Sequence, residues 1–474
     1  MTDVLPAQPL FQPNEYLVEL QTGRAQAWGE VPFEKTLDAL RTFLEDELGS
    51  KDESEYLARK YAAIIGDMAA KQHFLERIHD FLRKNPGYQN THYPSYYPDL
   101  AEALFQHQIG FGPMSVWFAH PTESATVNGT QILFGVPGHH EKLVQPFEFD
   151  SLDQVKRLIR TLTLTDANNQ VNQTSTWTQV DMLNGTRVTI FAPPLAETYT
   201  LVFRQYLFTR YTFEHEADVG TVGRESVAWW RLLSRLMLSM LTTGVRRSGK
   251  TTFLKVIYEA RDPELDIVTV ERGTFEAHLR RDFPKRAAHI FALKSPLEDM
   301  NSLFPAFLRT DAHYIMVPEI RSMEVDLAIQ SRERGGGWLG SYHGQYVLNI
   351  PLELANLSLE IHPNRNHRST YIRAVQSLDV VITMWEDATG RKIVTGVYAY
   401  EYDHEKEAFT VTTWAKYRRE TDDWSYHCDI PPQMDARLRE THPEVYHHFL
   451  DEFHRLAEDH PLIGQATQTV RIGG

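Results

Sequence analysis

The chain has 474 residues, of which 42% are hydrophobic and 11% aromatic, so it is long enough for two or three packed domains and too apolar to be disordered. Its 48 Lys and Arg against 63 Asp and Glu give a net charge of −15, which disfavours direct binding of nucleic acid. The single cysteine, Cys428, excludes an internal disulfide and a thiolate metal site, and no apolar run reaches the roughly 18 residues of a membrane-spanning helix.

In chain order, the sequence predicts five segments. Residues 1–31 are rich in Pro and polar residues and are expected to form a flexible arm, whereas residues 32–108 carry apolar side chains at helical spacing. Residues 109–213 contain short strand-like runs with Asn-Gly and Pro turns around one helix, which predicts an α+β module. Strands and helices alternate over residues 214–405, as in a parallel α/β sheet, and residues 406–474 are predicted to be a helical extension.

A glycine-rich motif lies within the α/β segment, in the stretch TTGVRRSGKTTFLKV from Thr242 to Val256. A short apolar strand before it and a helical pattern after it match the order of a phosphate-binding loop. In such a loop, glycines let backbone N–H groups approach phosphate oxygens, a lysine neutralises the β- and γ-phosphates, and a hydroxyl contacts Mg²⁺. An ordinary Gly-rich turn between a strand and a helix is the alternative. The predicted nucleotide-binding residues are Gly244, Arg247, Ser248, Gly249, Lys250, Thr251 and Thr252, of which Thr251 is also a predicted Mg²⁺ ligand.

Three strand-like segments after the loop end in residues that suit phosphate chemistry. VTVERGTFE places Glu271 at a strand end, YIMVPEIRS places Glu319 at another, and GWLGSYHG carries His343. Because active residues of parallel sheets gather beyond the carboxyl ends of the strands, we expect all three to lie near the glycine loop. A carboxylate there can hold Mg²⁺ or orient an attacking water. Taken singly, each residue has an ordinary alternative, a solvated acid or a buried histidine.

The order of these four motifs resembles that of the ATPases of type II and type IV secretion systems and type IV pili, where they are Walker A, the Asp box, an atypical Walker B and the His box. Upstream, ATVNGTQILF, VDMLNGTRVTIFAPP and TLVFRQY resemble the N-terminal module of the Tad/Flp pilus-assembly branch. The resemblance covers roughly residues 110–405, where it implies an α+β N-terminal module and an α/β P-loop (RecA-like) ATPase domain with a parallel-sheet core. With the helical N-terminal region before them, which the resemblance does not cover, the predicted fold is multidomain.

The resemblance also implies roles for single residues. Glu271, or less readily Glu276, is the base that polarises the attacking water; Glu319 supports Mg²⁺; and His343 senses the γ-phosphate. Arg204, in FRQY, matches a position where the N-terminal module reaches the nucleotide. In this family, basic residues after the Asp box act on the phosphates of a neighbouring subunit. The candidates here are Arg280, Arg281 and Arg286, which the sequence alone does not separate. Arg281 is the predicted catalytic residue among them.

The chain departs from the family pattern in ways that bear on activity. Arg272 occupies a position of the Asp box that is normally acidic, and Pro318 replaces the Gly of Walker B. Arg246 and Arg247 stand in the loop where the family prefers small residues. A cation beside the predicted base, and a proline that lacks an N–H donor, predict a divergent member with slow or partner-dependent hydrolysis.

By this resemblance the chain is an oligomeric ring ATPase, expected to be a homohexamer, that couples hydrolysis of ATP with Mg²⁺ to pilus assembly or protein secretion. Its expected partners are other copies of itself and an inner-membrane platform protein, with no direct nucleic-acid binding. The lack of a signal-peptide pattern and the single cysteine fit a cytoplasmic location, peripheral to the inner face of the cell membrane. Two alternatives stay open: the ATPase of a conjugative DNA-transfer system, and a nucleotide-binding scaffold with little hydrolysis.

Overall fold

The computed structural model describes residues 31–48, 53–136, 142–164, 171, 175–205, 210–272, 275–295 and 309–472. The predicted flexible arm, residues 1–31, lies almost wholly outside the described residues. The chain divides into two compact units, Met1–Leu207 and Phe208–Gly474, and each is described by itself. Within the described ranges, no helix is long and apolar enough to cross a bilayer.

The first unit opens with helices. Their bounds are α1 Phe33–Leu48, α2 Glu53–Ile65, α3 Met68–Lys84 and α4 Leu100–Gln108. The helix α3 begins after the N-cap Asp67, whose side chain accepts a hydrogen bond from Ala70 N at 3.0 Å. Apolar residues at helical spacing, among them Leu40, Phe74 and Ile78, are fully buried and form the core between these helices.

An antiparallel sheet follows in the first unit. Its elements are α5 Ser115–Ala119, β1 Ser124–Asn128, β2 Gln131–Gly135, β3 Lys142–Glu148, α6 Leu152–Leu162, β4 Trp177–Asp181, β5 Arg187–Phe191 and β6 Thr200–Arg204. The spatial order of the strands is β3-β2-β1-β6-β5-β4. Buried residues alternate with part-exposed ones along β5 and β6, as expected when one face of a sheet lies in the core.

The second unit is built on a mixed sheet. Its strands are β7 Met240–Gly244, β8 Ile267–Arg272, β9 Ile290–Ser295, β10 Tyr314–Val317, β11 Gly337–Tyr342, β12 Val380–Glu386, β13 Lys392–Asp403, β14 Ala408–Arg418, β15 Asp423–Tyr426 and β16 Thr467–Arg471. Their spatial order is β15-β14-β13-β12-β7-β11-β10-β8-β9, and β16 pairs with β14. The six neighbours β12, β7, β11, β10, β8 and β9 are parallel, whereas β13, β14, β15 and β16 are added antiparallel.

Helices cover both faces of this sheet. They are α7 Phe213–Asp218, α8 Val227–Arg235, α9 Lys250–Ala260, α10 Leu279–Asp282, α11 Glu324–Glu333, α12 Ile350–Ile361, α13 His367–Ser377, α14 Pro432–Thr441 and α15 Pro443–Asp459. In β7, Met240 packs into a core with α8, α9 and α15, and the next residue, Leu241, packs into a second core with α11, α12 and α13. All five residues of β7 are buried. The apolar run before the glycine loop is therefore a central parallel strand with both faces covered.

The C-terminal stretch corrects the prediction of a helical extension over residues 406–474. The helices α14 and α15 are present, but β14, β15 and β16 lie in the same stretch and widen the sheet. The β-branched and aromatic residues of β14 favour a strand, and β13 supplies an antiparallel partner from Gly396 to Asp403. The predicted boundary at residue 405 therefore falls inside the β13–β14 hairpin.

Candidate nucleotide and magnesium site

The glycine loop joins the carboxyl end of β7 to the N-terminus of α9. Gly244 has φ +148°, and a Cβ at this position would lie 2.2 Å from Met384 O in the neighbouring strand β12. Gly249, immediately before α9, is left-handed with φ +88°. Glycine alone meets both demands without strain. Because the loop leads into a helix N-terminus, whose N–H groups attract anions, its backbone fits a phosphate.

Lys250 is the first residue of α9, and its ammonium lies inside the loop. The Nζ atom donates to Gly244 O at 3.0 Å and to Val245 O at 2.8 Å. The residue is 7% exposed, and burial lowers its pKa to about 8, although the charge of Glu319 acts in the opposite direction. An anion that enters the loop would stabilise the charged form of this desolvated lysine.

His343 connects Lys250 to Glu319. It follows β11, which lies between β7 and β10 in the sheet, so the carboxyl ends of three adjacent parallel strands meet here. His343 Nδ1 is 3.3 Å from Lys250 Nζ, and Nε2 is 3.2 Å from Glu319 Oε1. The imidazole therefore lies between the ammonium of Lys250 and the carboxylate of Glu319, and its Nδ1 atom is also 3.3 Å from Gly244 O.

Glu319 is held from its other side by Arg321. The guanidinium of Arg321 forms an ion pair with Glu319 Oε2, and the same Nη2 atom is 3.2 Å from Glu276 Oε1. Burial alone would raise the pKa of Glu319, but its hydrogen bond and charge interaction with Arg321 outweigh burial and hold the pKa below its ordinary value. Glu319 is therefore an ionised carboxylate whose two oxygens face His343 and Arg321.

Glu271 lies near the end of β8 and is 5% exposed. Its Oε2 accepts hydrogen bonds from Ala277 N at 2.9 Å and from Glu276 N. Burial raises the pKa of the carboxyl to about 7, although both amides favour the ionised form. A buried carboxyl that titrates near neutral pH has the acid–base property that a general base requires.

The three arginine candidates differ in their surroundings. Arg280 donates to Ala287 O at 2.7 Å and Ile290 O at 2.8 Å, so it fastens its own loop. Arg286 donates to backbone carbonyls at the end of α9, with Nη2 2.7 Å from Glu259 O. Arg281 instead bonds the side chain of Asp282, at 2.6 Å, and is one-third exposed. Arg280 and Arg286 thus donate to backbone carbonyls, whereas Arg281 bonds a carboxylate side chain.

The other predicted residues divide between the units. Ser248 is buried and donates to Val245 O at 2.9 Å, whereas Arg247 is exposed and has φ +67°. Thr251 and Thr252 are part-buried in the first turn of α9. Arg204 is exposed and is the last residue of β6 in the first unit. Their contacts with a nucleotide stay predictions.

The donor set near the loop suits Mg²⁺. Among the residues that the structure describes, no group of three or more His, Cys, Asp or Glu side chains could hold a metal ion. Mg²⁺ usually takes one or two protein oxygens, and phosphates and water fill its remaining positions. The hydroxyl of Thr251 and the carboxylate of Glu319 are oxygen donors of this kind, and their assignment as ligands stays a prediction.

Sequence reasoning missed Arg321. In an extended segment, residues two apart point to the same side, so the spacing of Glu319 and Arg321 was the available signal. Its second partner, Glu276, comes from a distant part of the sequence and could not be read from the motif.

Solved structures resemble the chain at low identity. The VirB11 ATPase of the Brucella suis type IV secretion system is 18% identical with a TM-score of 0.33, over 60% of this chain and 92% of that one. The Legionella pneumophila ATPase DotB is 14% identical with a TM-score of 0.44, over 75% and 88%. The pilus retraction motor PilT is 13% identical with a TM-score of 0.44, over 73% and 92%.

Sequence comparison gives a relative and a family. The "Uncharacterized protein MJ0900" of Methanocaldococcus jannaschii is 26% identical over 207 residues, which are 40% of this chain and 37% of that protein, so the chain spans well under half of this relative. Residues 102–385, more than half of the chain, match the family model described as "Type II/IV secretion system protein". The chain belongs to the type II/IV secretion system protein family.

Proposed function

We propose that the chain is an oligomeric ring ATPase that couples ATP hydrolysis to pilus assembly or protein secretion at the cytoplasmic face of a membrane. One observation carries this proposal: a continuous series of contacts runs from Lys250 in the loop through His343 and Glu319 to Arg321 and Glu276. Membership of the secretion family supports it, and the motifs that resemble the Tad/Flp branch favour a pilus-assembly system.

The loop residues would bind and orient the phosphates of ATP. Backbone N–H groups at the start of α9 would donate hydrogen bonds to phosphate oxygens, and Lys250 would turn its ammonium from loop carbonyls toward the β- and γ-phosphates. Thr251 and Glu319 would hold Mg²⁺, which neutralises phosphate charge when bound. His343, in contact with both Lys250 and Glu319, would lie where it can sense the γ-phosphate that these two groups hold.

Glu271 would act as the base. As the water oxygen bonds to the γ-phosphorus and the bond to the bridging oxygen breaks, a water proton passes to the Glu271 carboxylate. Since both backbone donors bind Oε2, the Oε1 atom would accept the proton. A pKa of about 7 lets the same group release that proton again near neutral pH.

Arg281 would complete the site of a neighbouring subunit, which is why a ring, and a homohexamer in particular, is part of the proposal. An arginine supplied from outside the phosphate loop neutralises charge that develops during phosphoryl transfer. Arg281 donates to Asp282, and the buried Lys255 donates to the same carboxylate at 2.7 Å. The position of Arg281 is therefore restrained through Asp282. The ring would act on an inner-membrane platform protein without binding nucleic acid directly.

Steady-state ATP hydrolysis and particle mass, measured with and without Mg-ATP, test this function. Lys250→Ala removes the cation of the loop and should abolish turnover, whereas Lys406→Ala, an exposed lysine in the β13–β14 turn, should leave turnover unchanged. The proposal fails if the parent protein has no Mg-ATP-dependent turnover and stays monomeric, or if Lys250→Ala hydrolyses ATP like the parent.

A second candidate function is a nucleotide-binding scaffold with little hydrolysis. It is favoured by the ion pair of Arg321 with Glu319, which occupies the carboxylate that would hold Mg²⁺. The same measurements separate the two candidates: a scaffold assembles with Mg-ATP, loses that assembly in Lys250→Ala, and shows no turnover in the parent.

A further inference from the structure

Arg321 contacts two acidic side chains that come from different segments of the chain. Its Nη2 atom pairs with Glu319 Oε2, two residues before it, and is 3.2 Å from Glu276 Oε1, which follows β8. The side chains of Glu276 and Glu319 are 13% and 18% exposed, whereas that of Arg321 is 55% exposed. The guanidinium therefore covers, from the solvent side, two acidic side chains that come from different segments of the chain.

The carboxylate proposed for Mg²⁺ already has a partner on each oxygen. His343 Nε2 is 3.2 Å from Oε1, and Arg321 pairs with Oε2. His343 is fixed further by Lys250 and Gly244, both 3.3 Å from its Nδ1. A cation that reaches Glu319 competes with these two partners for the carboxylate, and Arg321, whose side chain is 55% exposed, is the one with room to move.

Arg321 is also tied to the proposed base. Its partner Glu276 supplies a backbone N–H to Glu271 Oε2, so the bond between Arg321 and Glu276 restrains the segment that holds Glu271. If Arg321 leaves Glu319 but keeps Glu276, this restraint persists. Both bonds use the same Nη2 atom, so the change would break one contact of that nitrogen and keep the other.

We propose that Arg321 is a positioning residue: it pairs with Glu319 until Mg²⁺ takes its place, and through Glu276 it keeps the backbone that holds Glu271 in position. The inference rests on the proposed function and deepens it. It makes Arg321 a competitor of Mg²⁺ for one carboxylate, so that the concentration of Mg²⁺ needed for nucleotide binding depends on this arginine.

The test is the Mg²⁺ midpoint for binding of a fluorescent, non-hydrolysable ATP analogue to the full chain. Arg321→Gln removes the competing charge and should lower the midpoint by roughly two- to fivefold, the size expected for a half-exposed ion pair. Mg²⁺ binds the analogue in solution equally in all samples, so the difference between proteins isolates the site. The matched control is Arg373→Gln, which breaks an Arg–Glu pair with Glu333 outside the site and should leave the midpoint unchanged.

Turnover is measured on the same samples at saturating Mg²⁺. Arg321→Gln should reduce turnover while nucleotide affinity is kept, because the backbone beside Glu271 loses its tether. A merely structural role would raise the Mg²⁺ midpoint or weaken nucleotide binding at every Mg²⁺ concentration. If Arg321→Gln does not fold, Arg321→Met takes its place. It keeps the aliphatic stem but removes the charge, so its midpoint must also lie below that of the parent.

The outcomes separate the two proposals. If the parent binds the analogue with a Mg²⁺ dependence and Arg321→Gln has the same or a higher midpoint, the inference about Arg321 is wrong and the proposed function stands. If the parent shows no Mg²⁺-dependent binding of the analogue at all, the proposed function is wrong, and the inference about Arg321, which rests on it, is wrong with it.

Discussion

Replacing Glu271 with Gln keeps the size of the side chain and the acceptor oxygen that two backbone N–H groups bind, but it removes the charge. Burial raises the pKa of this carboxyl to about 7, so the ionised form that a base requires develops only near neutral pH. Turnover of the parent should therefore rise with pH through about 7. In Glu271→Gln it should fall on the order of a hundredfold or more, with ATP affinity preserved, because the base acts in the transition state.

The same shift in pKa predicts a change in stability. Since the folded-state pKa, about 7, lies above the ordinary value of 4.5, this group stabilises the fold fully below the lower value. The contribution is lost as the pH rises through about 7. The gap corresponds to about 3 kcal/mol. Gln has no such loss, so Glu271→Gln should exceed the parent in Tm by roughly 5–10 °C at about pH 8, and by much less near pH 5.

Hydrolysis rates and Tm are measured for the parent and Glu271→Gln across this pH range. The control is Glu405→Gln, which changes an exposed carboxylate in the β13–β14 turn and should match the parent in both measurements. The reasoning is refuted if Glu271→Gln hydrolyses ATP at the parent's rate. It is refuted equally if the Tm difference between the two proteins does not change with pH.

Three further changes test the site. Gly244→Ala should lower the free energy of unfolding by about 1–3 kcal/mol and weaken ATP binding, because the new Cβ would lie 2.2 Å from Met384 O. The control is Gly335→Ala, which is also at positive φ but faces open space, so it should lower the free energy of unfolding by less. Glu319→Gln should raise the Mg²⁺ concentration needed for ATP binding, and an unchanged Mg²⁺ dependence would remove Glu319 from the metal site. Arg281→Ala should reduce turnover and keep Tm, whereas Arg280→Ala should lower Tm through its lost bonds to backbone carbonyls; the reverse result would exchange their roles.

Much of the site could be predicted because its signals are local. The spacing of Gly244, Gly249 and Lys250 predicts a loop whose shape needs glycine, and the structure has the expected strand, loop and helix. Glu319 and His343 follow strands, and parallel neighbours bring them to Lys250. That β11 lies next to β7, however, depends on strand order in the sheet, which no single motif encodes.

The remaining features depend on contacts between distant segments. The hydrogen bond from Arg321 to Glu276 joins residues 45 positions apart in sequence, so neither the Asp box nor Walker B predicts it. The three arginines after the Asp box look alike in sequence, and only the carbonyls around Arg280 and Arg286 distinguish them from Arg281. The sequence of residues 406–474 is dominated by the helical pattern of α14 and α15, whereas β14 forms a strand because β13 supplies its pairing partner.

The pairing of β14 with β13, β15 and β16 has a practical consequence for truncation. A shortened chain that ends near residue 405 would leave β13, twelve residues long, as an open edge with unpaired N–H and C=O groups. It would also strip α15 from the core and uncover Trp229, whose ring lies 5.2 Å from that of Phe453. Such a fragment would keep every residue of the candidate nucleotide site in the second unit and still self-associate through its bare strand, so ring assembly has to be measured on the full chain.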